Sequence, residues 1–332
     1  MNSPAPSWRS TATISDLKIR AGLVRTLRLF FEETGYWEVQ TPVLSREAII
    51  DAHINPLRLT DSSIAGDRYL QTSPEAHMKR LLSAGADRIY QFSSVFRQQE
   101  QGDRHNTEFT LLEWYSCNED HHDQMKLVES LIRTVAEKCP TKSPLDPQLF
   151  ERLTYAAAFE RYMGTSVVRL TASELKQLAI DQQVSIPPGL DEQDRDGWLN
   201  LLLAEKVEPQ LGIEHPVFLI DYPESQAALA RVRRDDPPVA ERFELYIKGI
   251  ELCNGYHEET NAEELRTRFE RQNEIRRAEG MCELPLPELF LEATEAGYPA
   301  SAGVALGVER LLMWLMKKAT LPEVVAFPYE RA

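Results

Sequence analysis

The sequence predicts an α+β fold in which an antiparallel β-sheet is flanked by helices. Two observations favour this class over alternating βαβ units. Strand-like runs occur in groups, such as residues 89–96 and 107–116 on either side of a polar loop, and longer helical segments precede and follow these groups. The chain has 332 residues, of which 42% are hydrophobic and 27% charged, so it is long for one domain and short for two complete ones.

The first half begins with a predicted helix over residues 15–34, where apolar residues recur at three- and four-residue steps. Ser15 is a suitable cap, and Gly35 can end the helix. A short strand over residues 37–40 follows and is closed by Pro42. The strands at 89–96 and 107–116 enclose a loop over residues 98–106 and predict an antiparallel hairpin. Helical periodicity then returns over residues 123–138.

The second half begins with a segment of different texture. Residues 141–213 contain proline-rich stretches, an acidic run at 191–196 and amphipathic helices, which together predict a helical insertion. Strands are expected at 217–221, 227–232 and 243–250, and a charged helix at 261–279. A strand at 301–306 leads into an apolar helix at 308–316.

Composition limits the classes of partner. The 37 basic and 52 acidic residues give a formal net charge of −15, and no Lys/Arg-rich arm is present, which argues against stable binding of a nucleic acid. No apolar run is long enough to cross a bilayer, and residues 1–20 lack the apolar core of a signal peptide. We therefore expect a cytoplasmic protein that does not bind a membrane.

Cysteine and histidine spacing predicts neither a disulfide framework nor a zinc site. The seven histidines show no metal-ligand motif, and His121 and His122 stand in a polar, loop-like stretch. The four scattered cysteines are expected to be free thiols: Cys117, Cys139, Cys253 and Cys282.

Three segments carry a resemblance to a known family. They are Gly-Tyr-Trp-Glu-Val-Gln-Thr-Pro-Val-Leu at 35–44, Phe-Arg-Gln-Gln at 96–99 with the run at 105–115, and Gly-Val-Ala-Leu-Gly-Val-Glu-Arg at 303–310. In this order they resemble motifs 1, 2 and 3 of class II aminoacyl-tRNA synthetases, and most closely those of the lysyl type. Thr-Ser-Pro-Glu at 72–75 and Glu-Leu-Cys-Asn-Gly-Tyr-His-Glu at 251–258 lie between them. The resemblance runs from about residue 15 to the end of the chain and implies a class II catalytic core.

The resemblance implies that an amino-acid carboxylate is joined to the α-phosphate of ATP. A carboxylate is already a nucleophile, so the protein has to supply positioning and charge neutralisation, for which the arginine fork is well suited. By resemblance, Arg97 holds the α-phosphate, Arg310 the γ-phosphate, Phe109 stacks on adenine and Glu251 binds Mg²⁺. Arg97, Arg310 and Glu251 are thus the predicted catalytic residues. Further ATP contacts are expected from Gln98, Gln99, Asn106, Leu252 and Gly307.

Each of these residues, taken alone, also has an ordinary structural interpretation. Arg97 and Arg310 could form surface salt bridges, and Glu251 could lie on an exposed face at the end of the strand that starts at Phe243. Gly307 could simply open a turn before a helix. Trp114 and Trp314 are best interpreted as core aromatic residues.

The substrate pocket is predicted from paired carboxylates, because a buried ammonium must be paired with an anion. By resemblance, Glu75 in the segment Ser73-Pro74-Glu75 meets the amine next to the substrate carboxylate. Tyr115 and Glu258 receive the ε-ammonium, and Glu258 is also assigned a share of Mg²⁺. Lysine or its isomer β-lysine is therefore the expected substrate, with ATP and Mg²⁺ as cofactors.

Features beyond the three motifs narrow the resemblance. The helix before motif 1 begins near residue 15, which leaves no room for the anticodon-binding barrel of lysyl-tRNA synthetases, so we expect a single catalytic domain over residues 1–332. This pattern is similar to that of truncated lysyl-tRNA synthetase paralogues, which attach a β-lysyl group to a lysine of elongation factor P. Ala305 stands where lysyl-tRNA synthetases have glycine, and Gln99 stands where motif 2 has glutamate. Motif 1 further implies a homodimer with Tyr36 and Trp37 at its interface.

Three alternatives remain open. The chain could be a minimal ligase that charges tRNA with lysine, which tRNA aminoacylation at a rate comparable to pyrophosphate exchange would reveal. It could be a non-catalytic, synthetase-derived regulatory module, which the retained Arg97, Glu251 and Arg310 argue against and Gln99 alone supports. A small-molecule amide synthetase is the third, and the paired carboxylates disfavour it.

Overall fold

One large β-sheet occupies the centre of the fold, which confirms the predicted α+β class. The structure is a computed structural model that describes residues 8–60, 66–98, 100–138 and 149–332. Its strands are β1 Trp37–Glu38, β2 Leu44–Ser45, β3 Leu57–Leu59, β4 Arg68–Leu70, β5 Arg88–Phe96, β6 Glu108–Cys117, β7 Glu151–Thr154, β8 Val217–Pro223, β9 Val232–Arg233, β10 Val239–Ile247, β11 Ile250–His257 and β12 Ser301–Gly307. Its α-helices are α1 Ile14–Glu33, α2 Glu75–Ser83, α3 His121–Lys138, α4 Tyr155–Met163, α5 Ala172–Asp181, α6 Arg195–Leu202, α7 Ala262–Ala278, α8 Glu288–Glu295 and α9 Val308–Met316.

The sheet is antiparallel in its centre and parallel at its two edges. Its order is β1-β5-β6-β12-β11-β10-β8-β7, with β9 also paired to β10, while β2, β4 and β3 form a separate small sheet. In the run β5-β6-β12-β11-β10-β8, each neighbouring pair of strands is antiparallel, as expected. The edge pairs β1–β5 and β7–β8 are parallel. Both parallel pairs join strands separated by long connections, which parallel pairing requires.

The main core lies between one face of the sheet and helices α1, α3 and α9. Trp114 of β6 is fully buried there, with its ring centroid 5.0 Å from that of Phe31 in α1. Trp314 of α9 is also buried, so both tryptophans are core residues, as predicted. The helix expected at 15–34 is α1, but Thr13 rather than Ser15 caps it, in a capping box with Asp16.

Two strand predictions were wrong in detail. The strand expected at 243–250 is the end of β10, a tight turn and the start of β11, because Lys248 and Gly249 both have positive φ and reverse the chain. The apolar run at 227–232 is mostly a turn, in which Ala228 has a φ of 49°, and only Val232 joins a strand. Ala227, Leu229 and Ala230 are buried although this turn pairs through a single isolated bridge, Ala230 with Glu258, a case that hydrophobicity alone does not distinguish.

Residues 149–213 contribute both to the sheet and to a second core. Strand β7 pairs with β8 at the sheet edge, and α4, α5 and α6 pack around Phe159, Trp198 and Tyr222. The prolines at 143–147 and Cys139 lie outside the described residues. The other three cysteines are free thiols.

The surface around β1 differs from the expectation in one residue. Trp37 is 50% exposed, whereas Tyr36 is buried and donates a hydrogen bond from its hydroxyl to Ser116 Oγ at 3.1 Å. Tyr36 therefore belongs to the core and is not available for a subunit contact. Among the described helices, none combines the length and the apolar character needed to cross a bilayer.

Candidate active site

The candidate site lies on the sheet face opposite α1, α3 and α9. Side chains alternate between the two faces along a strand, so Trp114 in the core places Glu113 and Tyr115 of β6 on the other face. The strand register then aligns Tyr115 with Gly303 of β12 and Gly303 with Tyr256 of β11. The central strands β6, β12 and β11 thus form the floor of the site.

A bulge in β11 brings Glu251 onto this face. Glu244 of β10 pairs with Asn254, and Tyr246 pairs with Glu251, so Leu252 is the extra residue between the two pairs. Leu252 is buried in the main core. Without this bulge the alternation of side chains would turn Glu251 away from Asn254. The predicted ATP contact at Leu252 is therefore restricted to its backbone.

Arg97 follows β5 and is held against an aromatic ring. Its guanidinium carbon lies 5.0 Å from the ring centroid of Phe109. Its Nη1 is 3.4 Å from Glu100 Oε1, and its Nε donates to the Thr72 carbonyl at 3.5 Å. The side chain remains 24% exposed. A positioned, partly open guanidinium of this kind suits the binding of a phosphate.

Arg310 of α9 lies against Glu251. Its Nη1 donates to the Glu251 backbone carbonyl at 3.0 Å and to Oε2 at 3.1 Å, and its Nη2 lies 2.8 Å from His105 Nε2. Burial and the charge of Arg310 lower the pKa of His105, and Arg97 contributes in the same direction. The two predicted phosphate-binding arginines therefore reach one region of the site.

Three carboxylates gather beside Arg310 on the same face. Burial and the charge of Glu244 raise the pKa of Glu251. Burial, Glu244 and Glu251 together raise the pKa of Glu208 to about 7. Glu244 itself accepts a hydrogen bond from the Tyr246 hydroxyl at 2.6 Å. Such mutual repulsion is relieved by a hard divalent cation with carboxylate ligands, so this group fits Mg²⁺.

A second group of charges lies at the other end of β11, in what we call the amine pocket: Ser73, Glu75, Lys79, Glu113, Tyr115 and Glu258. Lys79 of α2 is buried, and its Nζ lies 2.6 Å from Glu75 Oε1 and 2.5 Å from Glu258 Oε2. Burial opposes its charged form, but Glu258 and Glu75 outweigh burial and raise the pKa of Lys79. Lys79 is therefore an ammonium built into the pocket.

Glu113 is the third carboxylate of the amine pocket. It is fully buried, accepts from Ser73 Oγ at 2.6 Å and accepts from the Tyr115 hydroxyl at 3.2 Å. Burial and the charge of Glu75 raise its pKa to about 8. Burial likewise raises the pKa of Glu258, while Lys79 opposes that shift. With all groups ionised, three carboxylates and one ammonium leave two negative charges.

Gly303 makes this pocket possible. A Cβ at this position would lie 2.2 Å from the Tyr115 ring and 2.9 Å from Glu258 Oε1. Any larger residue would therefore displace both predicted amine-binding side chains. Ala305, two residues further along β12, pairs with Glu113 and with Asn254 and lies on the same floor.

The remaining predicted ATP contacts surround the arginines. Asn106 Nδ2 donates to the Glu108 carbonyl at 2.6 Å, and its Oδ1 accepts from the Tyr329 backbone at 3.0 Å. The Gln98 backbone donates to the Asn55 carbonyl at 2.8 Å. Gly307 immediately precedes α9, and the nearest atom to an added Cβ there would be Cδ of Arg310, at 3.7 Å. Gln99 lies outside the described residues.

Two predicted site residues are not brought together. Glu251 is the second residue of β11 and Glu258 directly follows its last residue, so about 20 Å of bulged strand separates them. Glu258 is paired with Lys79, whereas Glu251 neighbours Glu244 and Glu208. The expectation that both residues share one Mg²⁺ ion is therefore corrected: the geometry leaves Glu258 to the amine pocket.

Sequence reasoning missed four charged residues of the site: Lys79, Glu113, Glu208 and Glu244. Two of these residues carried a local sequence signal. Lys79 is one helical turn after Glu75, and Glu113 is two residues before Tyr115 on the same strand face. Glu208 had no local signal, because only the fold brings its carboxylate to Glu244.

Arginines beside a cluster of carboxylates, on the same sheet face as a buried pocket lined by carboxylates, suit the activation of an amino-acid carboxylate with ATP. Together with the central antiparallel sheet and the motif order, they define a ligase with the catalytic core of a class II synthetase. Comparison with known proteins agrees. The sequence matches the family of tRNA synthetases class II (D, K and N) over residues 4–331.

Curated relatives resemble the chain along nearly its full length. It is 42% identical over 330 residues to a protein named "Elongation factor P--(R)-beta-lysine ligase" from Edwardsiella ictaluri, covering 98% of each chain. It is 42% identical over 332 residues to a protein of the same name from Vibrio cholerae, again covering 98% of each. The chain therefore belongs to the class II tRNA synthetase family of the D, K and N type, and it is an ATP-dependent ligase of that family.

Proposed function

We propose that this ligase activates lysine or (R)-β-lysine with ATP and transfers it to a lysine side chain of elongation factor P. The charge of the amine pocket carries the substrate assignment. When Glu75, Glu113 and Glu258 are all ionised beside Lys79, the two excess negative charges match the two ammonium groups of a lysine-type substrate, whose binding favours the ionised form of Glu113. The names of the full-length relatives support the identity of the acceptor.

In the first step, an oxygen of the substrate carboxylate attacks the α-phosphorus of ATP. A carboxylate–phosphate bond forms, the bond to the β-phosphate bridge breaks, and pyrophosphate leaves. Arg97 and Arg310 neutralise the phosphate oxygens, and Phe109 stacks on adenine beside Arg97. Glu251 and Glu244 would hold Mg²⁺, which would neutralise further phosphate charge.

In the second step, the acceptor amine attacks the carbonyl carbon of the adenylate. An amide bond forms, AMP leaves, and the amine gives up a proton. The acceptor lysine must therefore be neutral when it attacks, which a closed, partly desolvated site favours. The amine pocket holds both substrate ammonium groups during this transfer.

The assembly that we propose is a cytoplasmic homodimer with one catalytic domain per chain, in which the described part of the predicted insertion, residues 149–213, supplies helices α4 to α6 and strand β7. Trp37 is exposed in the motif 1 region, and Leu29 and Leu44 nearby are 39% and 45% exposed. An isologous contact between two copies would cover these apolar side chains. Sedimentation at micromolar concentration distinguishes this dimer from a monomer.

The family match favours one competing function, the charging of tRNA with lysine. The test of the proposal is mass spectrometry of elongation factor P after incubation with the enzyme, ATP and either α-lysine or (R)-β-lysine. We expect a mass increase of one lysyl residue on a single lysine. An unmodified factor, under conditions in which pyrophosphate exchange proceeds, would overturn the proposed acceptor while leaving activation intact.

A further inference from the structure

Two histidines and a glutamate from separate elements meet away from the Mg²⁺ group. His121 is the first residue of α3, Glu241 lies in β10, and His257 is the last residue of β11. One ligand atom from each lies within 4.8 Å of the other two. His257 Nδ1 is 2.5 Å from Glu241 Oε2, and the His121 and His257 rings are nearly parallel, with centroids 6.3 Å apart.

His121 is buried without a hydrogen bond to any described part of the protein. Its exposure is 2%, and neither ring nitrogen has a hydrogen-bond partner among the described residues. Burial and the neighbouring His122 lower its pKa to about 4, so its imidazole is neutral. Leaving a buried polar side chain without a partner is unfavourable. A neutral imidazole in this state retains a free lone pair for a metal ion.

We propose that His121, Glu241 and His257 bind a zinc ion, with water as the fourth ligand. Two imidazoles and one carboxylate are ligands that Zn²⁺ accepts in tetrahedral geometry, whereas Mg²⁺ and Ca²⁺ require oxygen ligands. Ligands about 2.0–2.1 Å from a tetrahedral ion are about 3.3 Å apart. Side-chain rotations would bring the three ligand atoms to this geometry. They would shorten separations that are now at most 4.8 Å and lengthen the 2.5 Å contact between His257 and Glu241.

The surroundings leave the ligands accessible. The side chains of His257 and Glu241 are 16% and 15% exposed, so an ion can enter from that side. Arg233 Nη1 lies 3.9 Å from Glu241 Oε1 and competes for that oxygen, but Oε2 faces His257. His122 is exposed next to His121 and does not belong to the three-residue group.

The position of this site gives it a structural role. The ion would join the start of α3 to the open end of the β10–β11 hairpin. The helix and the hairpin are far apart in sequence. His257 is followed directly by Glu258 of the amine pocket, so the ion would also restrain the backbone that carries Glu258. The spacing of residues 121, 241 and 257 matches no sequence motif, which is why histidine spacing alone predicted no such site.

The experiment is Zn²⁺ titration of the chelator-treated full-length protein by competition with a chromophoric chelator. Saturating Mg²⁺ is present to occupy the carboxylates near Glu251. We expect one Zn²⁺ per chain, with nitrogen and oxygen ligands at about 2.0–2.1 Å in X-ray absorption spectra. His121→Leu keeps the buried volume and should weaken binding at least about a hundredfold, and Glu241→Gln at least about tenfold.

His215→Ala is the matched control. His215 Nε2 lies 3.3 Å from Glu151 Oε2, so it forms a similar histidine–glutamate contact without a second histidine. This variant should bind Zn²⁺ like the wild type. At the same zinc concentration, zinc should also raise the thermal midpoint of the wild type more than that of Glu241→Gln. Absence of saturable binding, sulfur ligation, or equal affinity in the wild type and either site variant would overturn the proposal.

Discussion

Lys79 Nζ and Glu258 Oε2 form a 2.5 Å ion pair inside the amine pocket, and each side chain is 1% exposed. The resemblance to lysyl-type synthetases assigned Glu258 to the substrate ammonium. The structure shows an ammonium of the protein in contact with the same carboxylate. We therefore propose that a diamine is recognised through the combined charge of Glu75, Glu113 and Glu258, part of which Lys79 neutralises.

The first prediction concerns this internal ammonium. Lys79→Met removes the cation between Glu75 and Glu258 and leaves two buried carboxylates without it. We expect the free energy of unfolding to fall by about 3–5 kcal/mol in urea titrations. The control is Lys126→Met, because Lys126 forms an exposed pair with Asp123 at 2.8 Å and its loss should leave stability unchanged. Equal stability of the two variants would contradict a structural role for Lys79.

The second prediction separates the two ends of β11. Glu258→Gln keeps the shape of the side chain and removes its charge, so calorimetry should show a larger loss of affinity for the lysine-type substrate than for ATP. The loss for ATP should be small, because Glu258 is at the opposite end of the strand from Glu251. A similar loss for both ligands would instead indicate that Glu258 acts through Mg²⁺.

The third prediction concerns the phosphate-binding arginines. Arg97→Ala and Arg310→Ala should each slow pyrophosphate exchange about a hundred- to a thousandfold, or about 3–4 kcal/mol, because the contacts strengthen in the transition state. Arg161→Ala is the control, since Arg161 pairs with Glu151 away from the site. Exchange within about tenfold of the wild type in either site variant would refute the assigned role.

The fourth prediction follows from Glu113, whose pKa is raised to about 8. An ammonium ligand binds the carboxylate form, so substrate affinity should increase as the pH rises from 6 towards 8. Glu113→Gln should weaken binding and flatten this part of the profile. A wild-type affinity that does not change over this range would contradict the assignment.

The same group gives a stability effect of the opposite sign. An unfolded glutamate loses its proton near its ordinary pKa of 4.5, whereas folded Glu113 keeps its proton until about pH 8. The folded state binds more protons in this window, so the contribution of Glu113 to stability falls as the pH rises through it. Glu113→Gln should remove that slope in unfolding titrations at pH 5.5 and pH 8.

Local patterns predicted much of this fold. The helical periodicity of α1 and α9 and the paired strands β5 and β6 were readable because their apolar positions follow the geometry of each element. The hairpin of β10 and β11 was not, because its turn uses Lys248, a residue with no preference for positive φ. Without that turn, the register that places Glu251 opposite Tyr246 could not be derived.

The candidate site, like the fold, was predicted only where the sequence carries a local signal. Motif residues such as Arg97 and Arg310 were found by resemblance, and the structure brings them to one region. The amine pocket was only half predicted, because the charge on Glu258 depends on Lys79 from a different element. Burial and pairing across elements decide such charges, and the sequence carries no local signal for them.

The central claim is that the acceptor is a protein lysine. The most direct measurement offers the enzyme equal concentrations of unmodified elongation factor P and bulk tRNA with ATP and labelled (R)-β-lysine or lysine. The proposal predicts base-stable label on the protein, which is lost when the acceptor lysine of the factor is replaced. Base-labile ester label found mainly on tRNA would contradict it and would favour the minimal lysyl-tRNA ligase.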